Sequence, residues 1–127
     1  GILAIELFVT KDERVIVNEL APRPHNSGHY TIEACSFDQF DAHIRGIAGW
    51  PLEQPELLKP AVMVNVLGQH VAPTRALIAE HPEWNMHDYC KAEVRHDRKM
   101  GHITVLTDDT RQTVADLERT GCWDDLK

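Results

Sequence analysis

No stretch of this chain is apolar for long enough to cross a bilayer as a helix, and no basic-then-apolar segment of the secretory type occurs in it. Basic residues are scarce: 13 Lys and Arg against 20 Asp and Glu leave a net charge of −7. General nucleic-acid binding needs a basic face, so that class is set aside. Cysteine is nearly absent. Cys35, Cys90 and Cys122 are odd in number and widely spaced, without a C-x-x-C pair, which points to reduced thiols in a cytoplasmic protein. Of the eight histidines only His25 and His29 are spaced H-x-x-x-H, in a proline- and glycine-bearing stretch that does not read as a helix, so a zinc site is not expected. Repeats, low-complexity tracts and a glycine-rich phosphate loop are missing too. What remains is 127 residues, 43% hydrophobic and 26% charged, ordinary material for one domain or two small ones.

Chemistry concentrates in residues 17–31, VNELAPRPHNSGHYT. Directly after a hydrophobic run come an acid (Glu19), amides (Asn18, Asn26), a guanidinium (Arg23), imidazoles (His25, His29), a hydroxyl (Ser27) and a glycine (Gly28). Pro22 and Pro24 fix φ and push Ala21 and Arg23 towards extended backbone. So many groups needing partners cannot form a core, and the segment is too stiff for a linker. It reads as the wall of a site that handles anions and a metal.

Upstream, Ile2 to Thr10 and Arg14 to Leu20 are β-branched and aromatic around a charged turn, the pattern of a hairpin. Alternation puts Glu6 opposite the face of Ile5 and Leu7, and Glu19 on the face of Val17. With a four-residue connection, Lys11 to Arg14, Glu6 and Glu19 stand directly across from each other. Like charges so placed cost up to roughly 1 kcal/mol unless neutralised. A shared divalent cation would neutralise them, and oxygen ligands suit Mg²⁺. The turn lacks the Asn-Gly signature that would fix the register, so one solvated glutamate in another register is the equal alternative.

Downstream, Ser36 and Gln39 are expected as a capping box for a helix whose apolar stripe is Phe37, Phe40, Ile44 and Ile47. Gly49 stands at the C′ position, Pro51 prevents continuation, and His43 and Arg45 belong to a solvated face. Residues 51–60 hold three of the seven prolines and mark a boundary. Beyond it, strands are expected at 61–68, 84–91 and 101–107, with a short helix carrying Pro73 in its first turn. Asp109 and Gln112 cap a last helix with Val114 and Leu117 inward and Gly121 closing it. The tail from Cys122 frays unless Trp123 docks. Between the last two strands, Lys91, Arg95, Arg98 and Lys99 crowd a loop ending at Gly101, where backbone can approach a ligand. Guanidinium with ammonium makes a phosphate receptor.

Two stretches carry a resemblance: ELFVTKDERVIVNELAPRPHNSGHYTIEAC, and the segment K-x-E-x-R-x-x-R-K-M-G-H. Both are similar to the C-terminal third of the 5-(carboxyamino)imidazole ribonucleotide synthases, ATP-grasp ligases of purine synthesis. The resemblance implies ATP-dependent carboxylation of 5-aminoimidazole ribonucleotide by bicarbonate through carboxyphosphate, with ATP and Mg²⁺. It implies Glu6 and Glu19 as the Mg²⁺ acids, with Asn18 beside Glu19 at ATP. It assigns Arg23, His25 and Asn26 as catalytic, and these with Ser27, Gly28 and His29 as the wall facing bicarbonate and the imidazole. Lys91, Arg98 and Lys99 would take substrate phosphate. A homodimer is implied, without nucleic acid or membrane partners. The chain departs from the family at DERV, where the turn usually carries Asp-Gly. It departs again at Arg95-His96-Asp97-Arg98-Lys99, where the family usually reads R-P-G-R-K.

The architecture expected is α+β. A hairpin and helix ending an ATP-grasp domain (1–50) are followed by a linker (51–60) and a small β-rich domain (61–127). Opening at Gly1 directly into a strand, the chain reads as a C-terminal fragment and is not expected to turn over alone. Two rivals stand beside this reading. One is a formate-dependent glycinamide ribonucleotide transformylase, whose grasp domain ends similarly; the other is a non-catalytic dimerisation module.

Overall fold

The computed structural model describes residues 1–124, which divide into two compact units, the first Gly1–Leu57 and the second beginning at Leu58. In the first unit, β1 (Ala4–Val9) and β2 (Val15–Ala21) form an antiparallel hairpin. A 3-10 turn at Asn26–Gly28 and the short helix α1 (Thr31–Ala34) lead to α2 (Gln39–Ala48). In the second, β3 (Ala61–Leu67) and β4 (Asn85–Asp88) flank β5 (Lys99–Leu106) in an antiparallel sheet of order β3-β5-β4. Helix α3 (Val71–Leu77) follows β3, and α4 (Thr110–Arg119) follows β5. The α+β class expected from sequence is the one observed. No described helix is long and apolar enough to cross a membrane.

The hairpin reaches its register by a route the sequence reading did not foresee. Thr10 N–H bonds Arg14 C=O at 2.9 Å and Glu13 N–H bonds Thr10 C=O at 3.0 Å, so the connection has three residues, with Glu13 left-handed at φ 61°. That turn alone would pair Glu6 with Asn18. A β-bulge opposite Glu6 and Leu7 admits one extra residue, and the pairs become Leu7↔Val17 and Glu6↔Glu19. The acids stand abreast, but Val17 lies on Leu7's face, not on that of Glu19. One side of the hairpin is therefore wholly aliphatic: Ile5, Leu7, Val9, Val15, Val17 and Leu20, all exposed.

Helix α2 starts differently from the expected capping box. Asp38 is the N-cap, and its carboxylate accepts from the N–H groups of Phe40 (2.7 Å) and Asp41 (2.9 Å). Ser36 instead accepts from Glu56 N–H at 3.0 Å, beside a bridge of Cys35 to Leu57, which ties part of the proline-rich stretch to this unit. An acid at the cap position outcompetes the serine because it also complements the helix dipole. Gly49 closes the helix in the left-handed region (φ 68°), as its position suggested. The stripe Phe40, Ile44 and Ile47 is exposed within this chain. His43 is not merely solvated; its Nδ1 accepts from Ile2 N–H at 3.1 Å.

In the second unit β5 is the centre, with Met100, Ile103 and Val105 packed against Val66, Val71, Trp84, Leu117 and Trp123. Full burial of Ile103 alone contributes about 1.5–3 kcal/mol. Trp123 docks, donating its indole N–H to Asn65 C=O at 2.9 Å and meeting Trp84 edge-on. Residues beyond Asp124 lie outside the described ones. Asp109 caps α4 through Gln112 N–H (2.9 Å), while the Gln112 amide turns to Asp116, so only half of that box forms. Leu117 is buried, whereas Val114, expected inward, is exposed. Gly101 also serves another purpose than expected. A Cβ there would lie 2.3 Å from His87 C=O, so the close approach is that of β4 and not of a ligand.

Candidate functional site

The bulge decides which side chains meet. Without it Asn18 and Glu19 would point to opposite faces. With it both lie against Glu6, and the Asn18 amide donates to Glu6 Oε2 at 3.0 Å. The chain then leaves β2 through Pro22 and Pro24 and brings His25 back over the same face. His25, only 9% exposed, sets Nε2 at 3.3 Å from Glu6 Oε1 and 3.3 Å from Glu19 Oε1. Its other nitrogen, Nδ1, faces Ser27: the Ser27 N–H donates to it at 3.3 Å and the Ser27 hydroxyl lies at 2.9 Å. A ring that accepts at Nδ1 carries its proton at Nε2, so His25 offers one N–H to two carboxylates.

Glu6, Glu19 and His25 each bring a ligand atom within 4.8 Å of the others. Two hard carboxylate oxygens on a common face fit Mg²⁺, which takes oxygen ligands at 2.0–2.1 Å. Imidazole is the softer donor and suits other metals better. The fit is therefore through the acids, with His25 as their hydrogen-bonding neighbour. Sequence reasoning had not put His25 with the acids. Its signal was the proline pair, which folds the bend back across the strand end.

The rest of the bend is held from behind. His25 N–H donates to Gln39 Oε1 and His25 C=O accepts from Gln39 Nε2, both at 2.8 Å. Thr31 Oγ1 donates to Gly28 C=O at 2.6 Å and accepts from Gln39 N–H at 3.1 Å. His29 stacks on Phe40, centroids 5.7 Å apart. Arg23 is exposed and its guanidinium bonds only Pro24 C=O among the described residues (3.0 Å). The Asn26 amide oxygen is buried with no hydrogen-bond partner among the described residues. Such an oxygen costs about 1–3 kcal/mol unless a donor reaches it.

In the second unit the basic loop is braced by Gln69. Its Oε1 accepts Asp97 N–H (2.9 Å) and its Nε2 donates to Asp97 Oδ1 (3.0 Å). Asp97 sits at φ 58°, a backbone that glycine adopts freely, and the paired side chain offsets the strain. Gly68 admits the loop: a Cβ there would lie 1.9 Å from Arg95 C=O. Arg95 pairs with Glu93. Lys91 donates to Lys99 C=O at 2.6 Å over the Tyr89 ring. Arg98 and Lys99 meet no carboxylate among the described residues. Burial pushes the Tyr89 phenol up, and likewise the Cys35 thiol, which leaves that cysteine less reactive than a free one.

Residues 61–116 match the phosphoribosylaminoimidazole carboxylase C-terminal domain, and residues 1–40 match the ATP-grasp domain. The N5-carboxyaminoimidazole ribonucleotide synthase of Staphylococcus saprophyticus is 52% identical over 114 residues, 89% of this chain and 30% of that protein. The crystal structure of the Staphylococcus aureus N5-carboxyaminoimidazole synthetase superposes with a TM-score of 0.89 at 50% identity, covering 93% of this chain and 32% of that one. The Aspergillus clavatus enzyme, solved with ADP and 5-aminoimidazole ribonucleotide, gives 0.82 at 34% identity, covering 93% and 33%. The chain thus spans about a third of the length of the relatives it matches.

Proposed function

The chain belongs to the N5-carboxyaminoimidazole ribonucleotide synthase family of ATP-grasp ligases, and from that premise we propose that it serves ATP-dependent carboxylation of 5-aminoimidazole ribonucleotide by bicarbonate. The observation that carries this reading is the pair Glu6 and Glu19, set abreast with Asn18 on one face and roofed by His25. In the proposed scheme bicarbonate oxygen attacks the γ-phosphorus of ATP, ADP leaves, and carboxyphosphate forms. The exocyclic amine then takes the carboxyl group, and phosphate and a proton depart. Mg²⁺, when bound, would neutralise phosphate charge. The protein's own share is positioning and electrostatics, which dominate phosphoryl transfer.

Glu6 and Glu19 are the proposed Mg²⁺ ligands, and Asn18 holds Glu6 at the nucleotide. Arg23, His25 and Asn26, with Ser27, Gly28 and His29, form a wall of donors for bicarbonate and carboxyphosphate. Its stiffness favours exclusion of water from a labile intermediate. Arg98 and Lys99, with Lys91 once released from its carbonyl, suit the ribonucleotide phosphate. The reduced cysteines and this chemistry agree with a cytoplasmic enzyme. A homodimer is part of the same proposal.

The test is a chimera in which this chain replaces the matching third of the Staphylococcus aureus enzyme. ADP formation should depend on bicarbonate and the aminoimidazole ribonucleotide. Glu19→Gln should lower kcat by about 10²-fold or more, the scale of one lost electrostatic stabiliser. Stimulation by formate in place of bicarbonate would favour the transformylase reading. The 127-residue chain alone should show no substrate-dependent ATPase.

A further inference from the structure

Gln39 was expected to serve only a helix start, yet the residue is 7% exposed and its side chain bonds the bend. Its amide orientation is fixed by its partners. Only the oxygen can accept His25 N–H, and only the NH₂ can donate to His25 C=O, each at 2.8 Å. The second proton of that NH₂ is directed at His29 Nδ1, also at 2.8 Å. A nitrogen receiving that proton must be bare, so His29 carries its own proton at Nε2. Gly28 completes the arrangement, because a Cβ there would stand 2.5 Å from Gln39 Oε1 and 2.8 Å from its Cδ.

We infer that Gln39 is a positioning residue that locks the 25–29 bend and holds His29 in the tautomer that donates from Nε2. On this account His29 acts as a hydrogen-bond donor towards a substrate oxygen and does not begin the reaction as a base. The link to substrate rests on the function proposed above, whereas the tautomer assignment stands on geometry alone.

Gln39→Glu keeps the shape and reverses the polarity. A carboxylate can still accept His25 N–H, but it cannot donate to His29, and it draws the ring proton to Nδ1. Nitrogen-15 correlation spectra of the His29 ring in the 127-residue chain should show Nε2–H in the parent and Nδ1–H or the doubly protonated ring in Gln39→Glu. Gln39→Met, which adds no charge, should give a mixture of tautomers and serves if the first variant fails to fold. In the chimera, Gln39→Glu should lower kcat of the bicarbonate-dependent reaction by about 10²-fold with KM for ATP unchanged, the scale of an ångström of misplacement. A His29 ring still protonated at Nε2 alone in both variants overturns the inference, whatever the kinetics. A swapped tautomer with unchanged turnover overturns its link to the reaction and, separately, the proposed role of the bend.

Discussion

The two sheets of this chain are built on opposite terms. Strand β5 is buried on both faces, with Ile103 and Thr104 at 0% exposure and His102 at 1%. The β1–β2 ribbon leaves every large aliphatic residue open, up to Val9 at 73%. A lone two-stranded hairpin is marginal in water, and its apolar side is an exposed surface rather than a core. Its order lies in the polar side, where Asn18 and His25 both reach Glu6 and His25 also reaches Glu19. The second unit thus supplies cohesion for itself, and the first displays chemistry.

The two sheets should differ most in what a core truncation costs. Ile103→Ala should cost about 2–5 kcal/mol, read from the urea midpoint of the second unit's transition. Phe8→Ala in the same chain should stay within about 0.5 kcal/mol. Equal costs would mean that the ribbon is packed after all. A smaller effect separates the rival helix starts. Asp38→Ala should destabilise the first unit by about 1 kcal/mol, while Ser36→Ala should leave the helix amide protection unchanged in hydrogen exchange.

The smallest effect is electrostatic and belongs to the second unit. The Arg75 guanidinium, and then Cys90 N–H, hold the Asp88 carboxyl below its usual range. A depressed folded pKa stabilises the fold above the unfolded value, near pH 4, and the gain is lost as pH falls through the lower folded value. The pair is exposed, so Asp88→Asn should cost at most about 1 kcal/mol at pH 7 and nothing once both forms are protonated. Denaturation midpoints at pH 7 and well below 4 check both sign and size.

Much of this was legible because some residues have only one use. Gly49 and Asp109 announced helix ends, and NELAPRPHNSGH announced a site. The bulge was not read, although it leaves a trace: the aliphatic residues Val15, Val17 and Leu20 fall at spacings of two and then three. Gln39 was hidden because a glutamine near a helix start has a common local role, and only tertiary contact revealed another. Asp38 and Ser36 competed for one cap, and single-sequence patterning ranks such neighbours poorly. The α2 stripe was periodic as expected, yet periodicity tells which side is apolar and not whether anything covers it.

The short turn and the bulge have a joint consequence. If the tip gained one residue, a regular ladder would again set Glu6 across from Glu19, but Asn18 would rotate to the aliphatic side. An insertion among Lys11, Asp12 and Glu13, several residues along the ribbon, would therefore strip an amide from the acids without altering any residue near them. In this protein a change of length at one end can act as a substitution at the other.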